Sequence, residues 1–233
     1  MGSIDDIRKK AVVVGGSNGI GLAISQSLIN KGYYLEICDR GGPEPGVLDS
    51  RFYSHNYCDL LDFNEDLFVK LASDPNVELL MITAGIGRVA DFQFHHIAEI
   101  EKMFTVDTVS TIKIFRIFYD RILSDSVFFT GVMGSISGWM STPSASVYAA
   151  AKAGVIRFVE SVNIELEMYG CQNRILDISP ASFKGSRFYG GKNDLSITVP
   201  LSEAILDKLF AHETRFIPQY EEVYKAVLKR YHD

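Results

Sequence analysis

Short apolar runs recur along the chain, and most are followed by a stretch whose apolar residues return every three or four positions. Residues 11–14, 34–38, 79–83, 127–130 and 175–178 barely alternate, which predicts strands buried on both faces. Ile20, Ala23, Ile24, Ser27 and Leu28 fall on one face of a helix that ends at Gly32. A long helix is expected over 98–123, opening with Ile100, Met103, Phe104 and Asp107, and another over 148–169, stopping before Gly170. Strands alternating with helices imply a parallel sheet, and right-handed crossovers place helices on both of its faces. The expected fold is α/β, a Rossmann-like doubly wound sheet of about seven strands.

Two stretches break this rhythm. Residues 40–50 contain G-G-P-E-P-G and lie before a third strand at 52–57, too rich in Gly and Pro for a crossover helix. One helix of the doubly wound pattern is therefore expected to be missing or vestigial. Residues 182–199 alternate between polar and aromatic, with Phe183, Phe188, Tyr189, Gly190 and Gly191, as a substrate lid does. The lid is taken to reach about 212, and a helical tail is expected over 219–231.

Composition narrows the classes. With 233 residues, 47% hydrophobic and 22% charged, the chain can bury one large core and is read as a single domain over 1–233. Lys plus Arg number 23 against 29 Asp plus Glu, so the net charge of −6 gives no basic surplus for nucleic acid. Cys38, Cys58 and Cys171 are odd in number and form no C-x-x-C pair, which fits a reducing compartment and no metal site. No apolar run reaches membrane length, and residues 1–10 are polar, so a cytoplasmic protein without a membrane partner is expected.

The candidate chemistry begins at Gly15-Gly16-Ser17-Asn18-Gly19-Ile20-Gly21, between the first strand and the first helix. A helix N-terminus presents unpaired N–H groups, and glycines let a pyrophosphate approach them closely. A glycine turn that merely joins strand to helix fits the same spacing. Asp39 closes the second strand, where its carboxylate can accept from an adenosine ribose and repels a 2′-phosphate. Arg40 follows and pulls the other way. With no Lys or Arg between Gly15 and Gly21, NAD is favoured over NADP.

Tyr148 and Lys152, four residues apart, share a helix face, so the ammonium favours the phenolate of a group whose free pKa is about 10. Ser135, after the fifth strand, can hold a substrate oxygen against Tyr148. An ordinary helix-surface pair has the same spacing. His95 and His96 are adjacent and lack carboxylates at ligand spacing, and Trp139, Met140, Phe92 and Phe94 are read as packing residues beside a cleft.

Taken together, these residues resemble the short-chain dehydrogenase/reductase family over about residues 10–217. Gly15, Gly19 and Gly21 match the glycines of its T-G-x-x-x-G-x-G motif, with Val14 in place of the Thr, and Ser135, Tyr148 and Lys152 match its catalytic Ser, Tyr and Lys. Asp59, beside Leu60, resembles its adenine-contacting aspartate. The N-N-A-G stretch reads Ile82-Thr83-Ala84-Gly85, the usual P-G reads Pro180-Ala181, and the helix asparagine is Asp107. The Gly-Gly ending is replaced by Phe216-Ile217-Pro218. The resemblance implies reversible hydride transfer between a nicotinamide cofactor and an alcohol or carbonyl carbon of a small molecule. In it Lys152 also binds the nicotinamide ribose, and the main chain at Asp107 holds a relay water. A non-catalytic dinucleotide-binding scaffold and an epimerase or dehydratase using the cofactor transiently remain as alternatives. Apolar residues on more than one face of the helix over 98–123, together with the two-fold pairing of both long helices that the resemblance implies, predict a homodimer.

Overall fold

In a computed structural model the described residues are 9–141, 143–182, 192–219, and the single positions 222, 225, 226 and 229. Seven strands are assigned: β1 (Lys10–Val14), β2 (Tyr34–Asp39), β3 (Tyr53–Tyr57), β4 (Val77–Ile82), β5 (Phe129–Met133), β6 (Ile175–Ile178) and β7 (Arg215–Phe216). They pair in the order β3-β2-β1-β4-β5-β6-β7, every pair parallel. This is the doubly wound sheet expected from the periodicity. Chain direction across the sheet reverses between β1 and β4, the switch point beyond whose carboxyl ends such folds open a crevice.

Helices cover both faces. On one lie α1 (Gly19–Asn30) and α6 (Leu195–Phe210); on the other lie α2 (Glu65–Ala72), α4 (Ser110–Ile122) and α5 (Ser146–Met168), and α3 (Ile97–Phe104) precedes α4 and packs against α5. Alternate strand residues feed the two cores. Val12, Val14, Leu80 and Ile82 pack with Phe115 and Phe118 of α4, while Ala11, Val13, Leu79 and Met81 pack with Leu28 of α1 and Leu206 of α6. Local signals set the ends: Asn64 caps α2 by accepting Leu67 N–H at 3.1 Å, and Asp194 caps α6 by accepting Ser196 N–H at 3.0 Å.

Several expected boundaries shift. The fifth strand starts at Phe129 and not at 127, because Val127 is exposed and Phe128 turns into the core below α4. The helix expected over 98–123 is divided: Thr105–Val109 forms a π turn in which Ser110 N–H reaches back to Thr105 O. Between β2 and β3 only a single 3₁₀ turn, Ser50–Phe52, appears, as the Gly/Pro run implied. Within the stretch 182–212 expected as a lid, α6 spans Leu195–Phe210, with Ser202, Ile205, Leu206 and Leu209 buried. Residues 183–191 of that lid, and most of the tail expected over 219–231, lie outside the described residues.

Candidate active site

A cavity of about 680 Å³ runs along the carboxyl ends of the strands. Its floor at one end is the turn between β1 and α1. Gly15 takes φ +86°, and at Gly21 a Cβ would stand 2.2 Å from Gly15 O and 2.4 Å from Thr83 Oγ1, a space only glycine fits. Thr83 Oγ1 lies 3.1 Å from both the Val14 and Gly15 carbonyl oxygens, so the Thr of Ile82-Thr83-Ala84-Gly85 ties the end of β4 to this turn. Asn18, the N-cap of α1, makes no side-chain cap bond. Gly19 N–H instead donates to Asn193 Oδ1 at 2.9 Å, and Asn193 Nδ2 donates to Asn18 Oδ1 at 3.3 Å.

Asp39 ends β2 beside that turn. Its Oδ2 accepts Ser17 N–H at 3.0 Å, and its Oδ1 accepts Gly41 N–H at 3.0 Å and Gly42 N–H at 2.7 Å. The carboxylate thus anchors the glycine turn and the start of the Gly/Pro run at once. His55 Nε2 stands 3.5 Å from Oδ1.

The opposite end of the cavity is made by β5, α5 and the π turn. Ser135 opens a 3₁₀ turn directly after β5, its Oγ accepting Ser137 N–H at 3.1 Å. Tyr148 and Lys152 lie one turn apart near the start of α5, with Lys152 Nζ 5.8 Å from the centre of the Tyr148 ring. Lys152 is 3% exposed, donates to Met133 O at 3.0 Å and has Asp107 Oδ2 at 3.7 Å. Asp107 is buried behind Gly85; its Oδ1 accepts Ile86 N–H at 2.7 Å, and its Oδ2 has no hydrogen-bond partner. Burial pushes the Asp107 carboxyl above the usual range, outweighing the nearby Lys152 charge and the Ile86 N–H, which pull it down.

Most of the sequence-derived candidates meet at this cavity. Gly15, Asn18, Gly19, Ile20, Gly21, Asp39 and Arg40 line it at the glycine-turn end, and Asp59, Leu60, Ala84 and Gly85 line its middle. Ser135, Tyr148, Lys152 and Pro180 line the far end. Ser17 and Asp107 stand behind the wall, each acting through a neighbour. Sequence reading missed Asn193, which lies 174 residues from Gly19 and carries no local signal. It also missed Ile86, Lys102, Val106 and Met133 in the lining.

The donor set fits a nicotinamide dinucleotide. The close-packed glycine turn at the start of α1 suits a pyrophosphate, and a buried ammonium faces the end where Tyr148 and Ser135 lie.

Comparison with known proteins bears on the family and the fold. Residues 59–188, more than half of the chain, match a family model described as short chain dehydrogenase. Carbonyl reductase family member 4 of Xenopus tropicalis is 28% identical over 163 residues, 68% of this chain and 69% of that protein. The 3-oxoacyl-(acyl-carrier-protein) reductase MabA of Mycobacterium avium is 28% identical over 175 residues, 70% of this chain but 64% of that one, so the chain spans a little under two thirds of it. Among solved structures, a short-chain dehydrogenase from Sphingobium yanoikuyae in complex with NADPH superposes with a TM-score of 0.77 at 20% identity, covering 96% of this chain and 95% of the other. At that identity the superposition speaks for the fold.

Proposed function

The chain belongs to the short-chain dehydrogenase family of NAD(P)-dependent oxidoreductases, and from that premise we propose that Ser135, Tyr148 and Lys152 carry its reaction on the carbonyl or hydroxyl group of a small molecule. One observation carries the reading: these three side chains line one end of a single cavity whose other end is the glycine turn at the start of α1.

When bound, the nicotinamide accepts or donates the hydride. The residues handle the oxygen and its proton. In reduction the Tyr148 hydroxyl gives its proton to the oxygen as the carbon is reduced; in oxidation the phenolate takes the hydroxyl proton back. Lys152 stabilises that phenolate by its charge, and Ser135 holds the oxygen by a hydrogen bond. Gly15, Asn18, Gly19, Ile20 and Gly21 would hold the pyrophosphate, with Ser17 fixing their turn to Asp39. Asp59 and Leu60 would flank the adenine, and Ala84, Gly85 and Pro180 the nicotinamide side, where Lys152 would also bind the ribose.

We read NAD as the preferred cofactor. Asp39 is held at the end of β2 by three backbone N–H groups, and in that position it would stand against a 2′-phosphate. Arg40 lines the same end and is the competing influence. NADH should bind at least about tenfold more tightly than NADPH, a difference of roughly 1.4 kcal/mol. Fluorescence titration of both decides it: tighter NADPH binding overturns the preference, and Asp39→Ser should narrow or invert the gap. The three cysteines are buried and free, which supports a reducing compartment, the cytoplasm.

The activity itself is tested by following absorbance at 340 nm with either cofactor and a panel of ketones, aldehydes and alcohols. Substrate-dependent change supports the reading, and dinucleotide binding without any turnover across the panel supports a scaffold instead.

A further inference from the structure

Within the apolar run of β6 sits a carboxylate. Asp177 is 2% exposed, between Leu176 and Ile178 of the core. Its Oδ1 accepts the Ser179 hydroxyl at 2.8 Å, and Ser179 Oγ accepts the Trp139 indole N–H at 3.2 Å. Its Oδ2 has no hydrogen-bond partner. A Cβ at Gly134 would stand 2.2 Å from Asp177 Oδ1 and 2.5 Å from Ser179 Oγ, so the glycine before Ser135 is what admits this pair.

The same cluster reaches the cavity wall. Trp139, Met140 and Ala181 pack against the buried pair Ile136 and Ile217, and Ala181 lines the cavity with Ser135. Ile136 N–H donates to Pro180 O at 3.1 Å, joining the turn after Ser135 to the end of β6. On its outer side Trp139 carries the Arg215 guanidinium, 4.1 Å from the ring centre, and Arg215 is paired with Glu160.

We propose that Asp177 is a positioning residue for the substrate end of the cleft: through the Ser179 hydroxyl it fixes the Trp139 indole, and with it the turn that carries Ser135. The link to substrate rests on the hydride-transfer reading above; the link to Trp139 does not. Four groups face the carboxyl: Ser179 on its own strand, Trp139 from the turn after β5, Arg215 on β7 and Glu160 on α5. Burial raises its pKa to about 6, against the Ser179 hydroxyl, Arg215 and the Trp139 N–H, which favour the anion; Glu160 adds to the rise. Protonation converts a charge-assisted hydrogen bond to Ser179 into a neutral one and loosens the hold on the indole.

Trp139 is the chain's single tryptophan, so its emission reads this cluster without turnover. Emission followed from about pH 8 to about pH 5 should show one step in the wild-type protein, at the titration of a buried carboxyl, and none in Asp177→Asn. Ser179→Ala, which keeps the carboxyl but removes the hydroxyl through which it reaches the indole, should lose the step as well; this arm stands even if the Asn variant fails to fold. In turnover, Asp177→Asn should raise KM for the carbonyl substrate severalfold with NADH affinity unchanged. A flat wild-type titration, the same step in Asp177→Asn, or the wild-type step kept in Ser179→Ala overturns the proposal. An emission step in a protein that turns nothing over counts against the hydride-transfer reading alone.

Discussion

Asp107 takes Ile86 N–H on one oxygen and faces the Lys152 ammonium with the other, so a single buried carboxyl braces both the loop after β4 and the proposed catalytic lysine. Its pKa is raised by burial, so the folded state holds the proton more tightly than the unfolded chain, where an aspartate titrates near about 3.9. The stabilising contribution is then full below that unfolded value and is lost as pH rises through the folded one. Asp107→Asn keeps an acceptor for Ile86 N–H and drops the titration. The melting temperature of Asp107→Asn minus that of wild type should therefore grow as pH rises from about 4 and level off once the folded carboxyl has ionised. A difference that shrinks over that range contradicts the assignment. Asp107→Ala strands the Ile86 N–H and should cost about 1–3 kcal/mol in denaturant unfolding.

The turn from β1 into α1 stands or falls with Gly21. A methyl there collides with Gly15 O and Thr83 Oγ1, so Gly21→Ala must push the turn off β4. Destabilisation of about 1–3 kcal/mol is expected, with dinucleotide affinity lost well beyond that of a surface control. Thermal melts and a cofactor titration check the two halves; wild-type affinity in the variant would place the pyrophosphate elsewhere. Glycine spacing made this element legible, as did the four-residue step from Tyr148 to Lys152, because both are local. The π turn was not legible: it forms where Asp107 reaches across to Ile86, a contact no periodicity encodes. The edge of β5 was misjudged because Val127 is apolar yet exposed. Asn193 and the cluster around Asp177 escaped because their partners are brought together by the tertiary fold and not by spacing.

At the scale of the molecule, the apolar surplus on the segment from α3 through α4 is largely absorbed within the chain. Met103 packs with Val147 and Ala151, and Ile114, Phe115, Phe118 and Ile122 enter the main core. Val109, Ile164 and Met168 nonetheless stay exposed along the π turn and α5, with Tyr169 just beyond. The proposed homodimer would cover these residues with a second copy. Light scattering at micromolar concentration should give twice the 26.0 kDa chain mass, and Ile164→Asp with Met168→Asp should return it to one. A monomer throughout removes the dimer and leaves the site intact, since all its residues come from one chain. The central claim, that Tyr148 moves the proton in hydride transfer, is met most directly by comparing Tyr148→Phe with wild type in kcat and in cofactor Kd. Loss of more than about tenfold in kcat, over roughly 1.4 kcal/mol of transition-state stabilisation, with Kd unchanged is predicted; retention of more than about a tenth of kcat contradicts it.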